Sequence, residues 1–137
     1  MSHRTYGGIP VKAASAINIR VPVSFLPAAS ALSETVYRTP SINQLSIGLA
    51  QATAASPGDP VTLVHPGEVG WGVAGASLGA GALVGVGSTN GILIPLTPSN
   101  IASSADGSGL RYSVGIALKN AAAADEFPVF VKPDQII

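Results

Sequence analysis

The residues able to do chemistry are few, and their spacing decides what they can do. Gly70-Trp71-Gly72-Val73-Ala74-Gly75 spells G-x-G-x-x-G. Such a loop binds a dinucleotide when it follows a strand and opens a helix, with an acid about 20 residues on for the ribose. Here further glycines follow and no acid occurs before Asp106. Gly75-Ala76-Ser77-Leu78-Gly79 spells G-x-S-x-G, which needs a strand-to-helix turn and, in that fold, a later histidine. Both histidines, His3 and His65, precede Ser77. Two isolated histidines have no ligand spacing, and the chain has no cysteine, so no metal, disulfide or thiolate chemistry is predicted. Asp59 and Glu126 could act as an acid–base pair, but nothing in either surrounding segment supports such a site, and both read as acidic caps of turns. Trp71, the one tryptophan, is either core or an interface anchor. These residues predict no catalytic group, no cofactor and no enzyme.

The elements that would carry any site are strands. Across 137 residues, 47% are apolar, 10% charged and 5% aromatic, and Gly 16 with Pro 11 forces frequent turns. Gly and Pro are the poorest helix formers, and so apolar a chain is not disordered. Residues 17–25 alternate, with Ile17, Ile19, Val21, Val23 and Phe25 on one face, as in a half-buried strand. Pro22 lacks an N–H and predicts an edge position for it. Ser46–Ala50, Pro60–Val64, Ala82–Val86, Ile92–Leu96, Ser113–Leu118 and Pro128–Lys132 are further strand candidates, separated by Pro- and Gly-containing turns. Helix is least excluded at Ala28–Leu32 and Ala121–Ala124. The uncharged run from Val69 to Ala105 is long enough for a membrane span, yet Asn90-Gly91 between two apolar segments predicts a hairpin there. No export signal is expected at residues 1–16, and no membrane partner.

An internal echo organises the chain. Ser46-Ile-Gly-Leu-Ala50 matches Ser113-Val-Gly-Ile-Ala117, and the same offset sets Ala54-Ala55 on Ala121-Ala122, Asp59 on Glu126, and Val64-His65-Pro66 on Val131-Lys132-Pro133. Two similar β-units predict a small β-sandwich or barrel-like domain, with a mid-strand Gly where another backbone comes close.

Charge is uneven although it sums to zero. Residues 1–40 carry Arg4, Lys12, Arg20 and Arg38 against Glu34, and the remainder is correspondingly acidic. These residues read in two ways, as an extended N-terminal arm adding a strand to a partner's sheet or as the first strand of the same domain. The arm reading divides the chain into 1–40 and 41–137. It makes Tyr6, Ile17, Ile19, Arg20, Val21, Val23, Phe25 and Arg38, with Trp71, the candidate partner-binding residues. Four dispersed cations make a poor phosphate track, so no direct nucleic-acid contact is expected.

Residues 45–137 also resemble a known family. Tyr112-Ser-Val-Gly-Ile-Ala-Leu118, an Ala-rich link ending in Asp125-Glu126, and Val129-Phe-Val131 are similar to the closing strands of tailed-phage capsid decoration (cement) proteins. Ala76–Val84, the turn with Gly91 and Ile94-Pro-Leu96 resemble that family's middle hairpin. The resemblance implies a virion protein on the outer surface of the phage head. It would bind the major capsid protein, usually as a homotrimer, and stabilise the shell by bridging subunits. A tail, fibre or head-spike component is the alternative, followed by a carbohydrate-binding or adhesive β-module.

Overall fold

The computed structural model describes residues 5–6, 9–25, 35–39, 45–87, 91–97 and 111–136. Twelve strands and no helix occur among them: β1 (Thr5–Tyr6), β2 (Ile9–Pro10), β3 (Lys12–Ala13), β4 (Pro22–Phe25), β5 (Thr35–Arg38), β6 (Gly48–Ala50), β7 (Leu63–Val64), β8 (Val69–Val73), β9 (Leu83–Val86), β10 (Leu93–Pro95), β11 (Tyr112–Ala117) and β12 (Glu126–Gln135). Beside the small β1–β2 ribbon they form two five-stranded sheets, in the orders β3-β5-β4-β6-β7 and β10-β9-β11-β12-β8. The mainly β, two-unit reading holds. Among the described residues no helix is long and apolar enough to cross a membrane.

The sheets are two copies of one design. Ile17 N–H donates to Ala54 O at 2.9 Å, and Leu78 N–H donates to Ala121 O at 2.9 Å. Arg20 N–H reaches Ala50 O as Gly81 N–H reaches Ala117 O, both at 2.7 Å. Val23 pairs with Gly48 as Val84 pairs with Gly115. Each unit also curls toward closure. β3 pairs in parallel with β5, and its Lys12 bridges Pro60 ahead of β7. β8 pairs with β12, while the next residue, Ala74, bridges Leu93 of β10 in parallel. Curling brings alternate side chains inside, where Val11, Val23, Val36, Val61 and Leu63 fill the first unit and Val84, Leu93, Phe127, Val129 and Val131 the second.

The echo therefore extends further back than its sequence match. Residues 11–25 and 36–39 belong to the first unit, equivalent in register to residues 72–86 and 93–96 of the second. A boundary after Pro40 cuts through the first sheet, because Pro22 and Val23 of β4 pair with Leu49 and Gly48 of β6. The later half of the echo shifts by one residue. Leu49 pairs with Val64 and Ile116 with Phe130, so Val64 corresponds to Phe130 rather than Val131. Asp59 likewise corresponds to Asp125, since Ser56 N–H and Ala122 N–H donate to their respective Oδ2 atoms at 3.0 Å. One residue fewer in the second Ala-rich link accounts for the shift.

Local backbone chemistry explains other differences. The predicted strand 17–25 breaks at Arg20, whose φ of 69° turns the chain before β4 begins. Ile17 and Val21 remain buried on either side while Ile19 is turned outward. Pro22 does not mark an edge, since β4 lies between β5 and β6. It occupies the first strand position, where its missing N–H costs no ladder bond. Ala121–Ala124 forms a bridge and turn rather than a helix, with Ala124 at φ 73°. Ala28–Leu32 lies outside the described residues. The hairpin forms as read, Leu93 pairing with Val86 and Pro95 with Val84. Gly48 and Gly115 allow close approach, because a Cβ on either would collide with the carbonyl oxygen of Val64 or Phe130 on the next strand.

Candidate functional site

Where the two units meet, the chain builds a cleft and an ion pair. Ile19, Arg20, Ala50 and Gln51 of the first unit, with Val64 and Trp71, line a cleft of about 150 Å³. The left-handed turn at Arg20 directs its guanidinium across the junction, placing Nε 2.5 Å from Glu126 Oε2 on β12. The contact is a charge pairing rather than an aligned hydrogen bond. Trp71 projects from the outer face of β8 and is 52% exposed.

Three of the predicted partner-binding residues, Ile19, Arg20 and Trp71, are thus brought together. Ile17, Val21 and Val23 are instead buried in the first unit's own core, at 1%, 6% and 0% exposure. They are apolar because β4 and the corner before it close that unit, and they are not available to a partner. Arg38 is exposed on β5, opposite Val23, and does not line the cleft. Phe25 pairs with Val36 and Tyr6 with Ile9 through their backbones.

The enzyme-like spellings dissolve into strand and turn. Gly70–Val73 lies within β8, and Ser77 is an exposed residue just before the Leu78–Ala121 bridge. Asp59 holds its own turn and Glu126 pairs with Arg20, so the two carboxylates serve different ends of the fold. His65 precedes the turn after β7, its N–H donating to Glu68 Oε1 at 3.0 Å. Among the described residues no three His, Asp or Glu side chains gather as a metal site would require.

A hydroxyl chain crosses the first unit. Ser46, Thr39 and Ser24 are buried and hydrogen-bonded in sequence, at 3.0 Å and 2.7 Å, and Ser24 Oγ donates to Leu45 O at 2.7 Å. These bonds tie β4, the end of β5 and the segment before β6 together inside the first unit. Beside it on β5, burial pushes the Tyr37 phenol above its ordinary pKa.

The feature that spacing did not reveal is the outer face of the second sheet. Leu83 on β9 lies opposite Ile116 on β11, Ile116 opposite Phe130 on β12, and Phe130 opposite Val69 on β8. One apolar row thus crosses four strands. A second row runs beside it, with Trp71 opposite Pro128, whose carbonyl accepts from the N–H of Leu118. Val69, Trp71, Leu118 and Leu83 are 53%, 52%, 44% and 37% exposed, and Ile116, Pro128 and Phe130 are half-buried. The available signal was Phe127-Pro-Val-Phe-Val131, a strand apolar on both faces and therefore a strand with two faces to cover.

No family model matches the chain, and no curated protein matches it. Among solved structures, the chain shares its fold with the N-terminal base of the head fibre gp8.5 of bacteriophage phi29. The TM-score is 0.63 at 14% sequence identity, over 90% of this chain and 92% of that one.

Proposed function

We propose that this chain is a structural protein of a phage head, held on its outer surface by the major capsid protein. The observation that carries this reading is the fold shared with the base of a head fibre along nearly the whole length of both chains. The resemblance of residues 45–137 to head decoration proteins points to the same surface from a different source. Its mechanism is mechanical. Compact strand-built units resist deformation, and apolar burial against capsid subunits, repeated over a shell, raises the cost of separating them by roughly 25 cal/mol per Å². Of the predicted contacts, Ile19, Arg38 and Trp71 remain accessible for partners. A homotrimer seated on the head is the assembly that the family resemblance implies.

Two roles share this placement, a cement that bridges capsid subunits and a base that carries a fibre. Purified protein added to undecorated heads of its phage distinguishes them. Co-sedimentation with the heads is expected, and its absence at saturating protein overturns the reading. A cement raises the temperature at which packaged heads lose DNA, whereas a fibre base binds and leaves it unchanged.

A further inference from the structure

The two units treat one equivalent pair of residues in opposite ways. Leu49 and Val64 face away from the first unit's core as a cross-strand pair, and they are 0% and 1% exposed. They are covered because they belong to the second unit's hydrophobic cluster, together with Ala74, Leu78 and Val84. Gly70 on β8 lies so near Val64 that a Cβ there would come within 2.7 Å of its methyl. Ile116 and Phe130 are the corresponding pair of the second unit, and they lie in the open apolar row flanked by Leu83 and Val69. In this chain, such a face is covered by another unit of the same fold.

We infer that the outer face of the second sheet, centred on Ile116, Phe130, Val69 and Trp71, is where a second copy of this chain docks. Two rows of alternate residues across adjacent strands span on the order of 200–300 Å², the apolar centre of a contact that the surrounding rim must complete to the roughly 800 Å² per partner of an ordinary interface. No charged side chain interrupts either row. Charge enters only toward the two ends of β12, where Glu126 is already paired with Arg20 and Lys132 is followed by Asp134 of opposite sign, so neither end adds a net charge to the rim. With zero net charge, two copies approach without long-range repulsion. The face thus has an apolar centre and a polar rim, as an interface has. This inference rests on the proposed function only for the number of copies, since the trimer there requires one such self-contact.

The test uses the full chain in solution, without heads. Sedimentation equilibrium is run on the wild type and on Val69→Lys and Trp71→Glu, both at exposed positions where folding tolerates a charge. Leu45→Glu, at an exposed position on the first unit, is the control. The wild type and the control are expected to self-associate, while the two face variants sediment as monomers with circular dichroism unchanged and a Tm equal to that of the wild type at dilutions where it is monomeric. As the only tryptophan, Trp71 reports the same event independently, its emission shifting to the blue as wild-type concentration rises. A wild type that stays monomeric to about 100 μM overturns the inference, because an interface of ordinary size binds more tightly than that. So do face variants that keep the wild-type mass, or a control that loses it as they do. Head binding is scored separately, so retained binding without self-association defeats this inference alone, and self-association without binding defeats the functional reading alone.

Discussion

At the residue scale, the two units solve the same backbone problem with different residues. The corner before β4 or β9 needs a left-handed residue, supplied by Arg20 in the first unit and Gly81 in the second. The acidic turn needs another, supplied by Gly58 in the first and Ala124 in the second. A side chain in this region costs roughly 1–2 kcal/mol, against which glycine's extra unfolded-state entropy must be set. Ala124→Gly is therefore expected to stabilise the protein by about 0.5–1 kcal/mol. Gly58→Ala is expected to destabilise it by about 1 kcal/mol, although open space surrounds the position. Urea titrations with unchanged m-values check both. Arg20 keeps its strained conformation while reaching Glu126 across the junction, a contact unavailable to glycine.

At the element scale, the sheets differ in how they fill equivalent space. The first unit threads the hydroxyls of Ser24, Thr39 and Ser46 through its interior. Gly85 and Leu96 replace the first two in the second unit, and Leu96 packs over the bare glycine backbone. The hydroxyl chain is stable only while complete, because Thr39 links its two neighbours. Thr39→Val keeps the shape and is expected to cost about 1–3 kcal/mol, the penalty of leaving buried hydroxyls without their partner. Thermal unfolding measures it, and a cost near zero would mean that Ser24 and Ser46 close the gap themselves. β8 was invisible to strand rules because Gly70 and Gly72 interrupt its apolar pattern. The sheet requires those glycines, since Gly70 lies against Val64 and Gly72 against Leu93 and Val129.

At the scale of the whole molecule, residues 11–25 and 35–39 belong to the first unit's sheet and core. Removing residues 1–40 takes away β3, β4 and β5, with Val11, Ala13, Ile17, Val21, Val23 and Val36 of the first core. What remains of that unit, β6 and β7, is a two-stranded ribbon that cannot bury a core. A chain beginning at Ser41 is therefore expected to lose the first unit and expose Leu49 and Val64 to water. Its far-UV dichroism and amide dispersion should fall short of those of the intact protein, and it should bind a hydrophobic dye. A truncated chain with full dispersion and no dye binding would show that the second unit suffices.

The sequence by itself determined the strand class, the hairpin at Gly91, the duplication and the close approach at Gly48 and Gly115. Each depends on short-range rules, such as alternation, turn chemistry and the size of one residue, and these act within a few positions along the chain. Only the tertiary structure decided that Ile17, Val21 and Val23 of the alternating segment serve an internal core while Ile19 turns outward. An inward row reads the same whether its partner is another subunit or the opposite wall of its own unit. The divergent residues 11–39 hid their half of the repeat, because barrel closure constrains hydrogen-bond register and burial more tightly than residue identity. Likewise, the one-residue shift in the second link sets Phe130 rather than Val131 in the place equivalent to Val64, opposite Ile116, and with side chains alternating at period two it puts Phe130 and Val131 on opposite faces. The open apolar face became visible only when strands distant in sequence were set side by side.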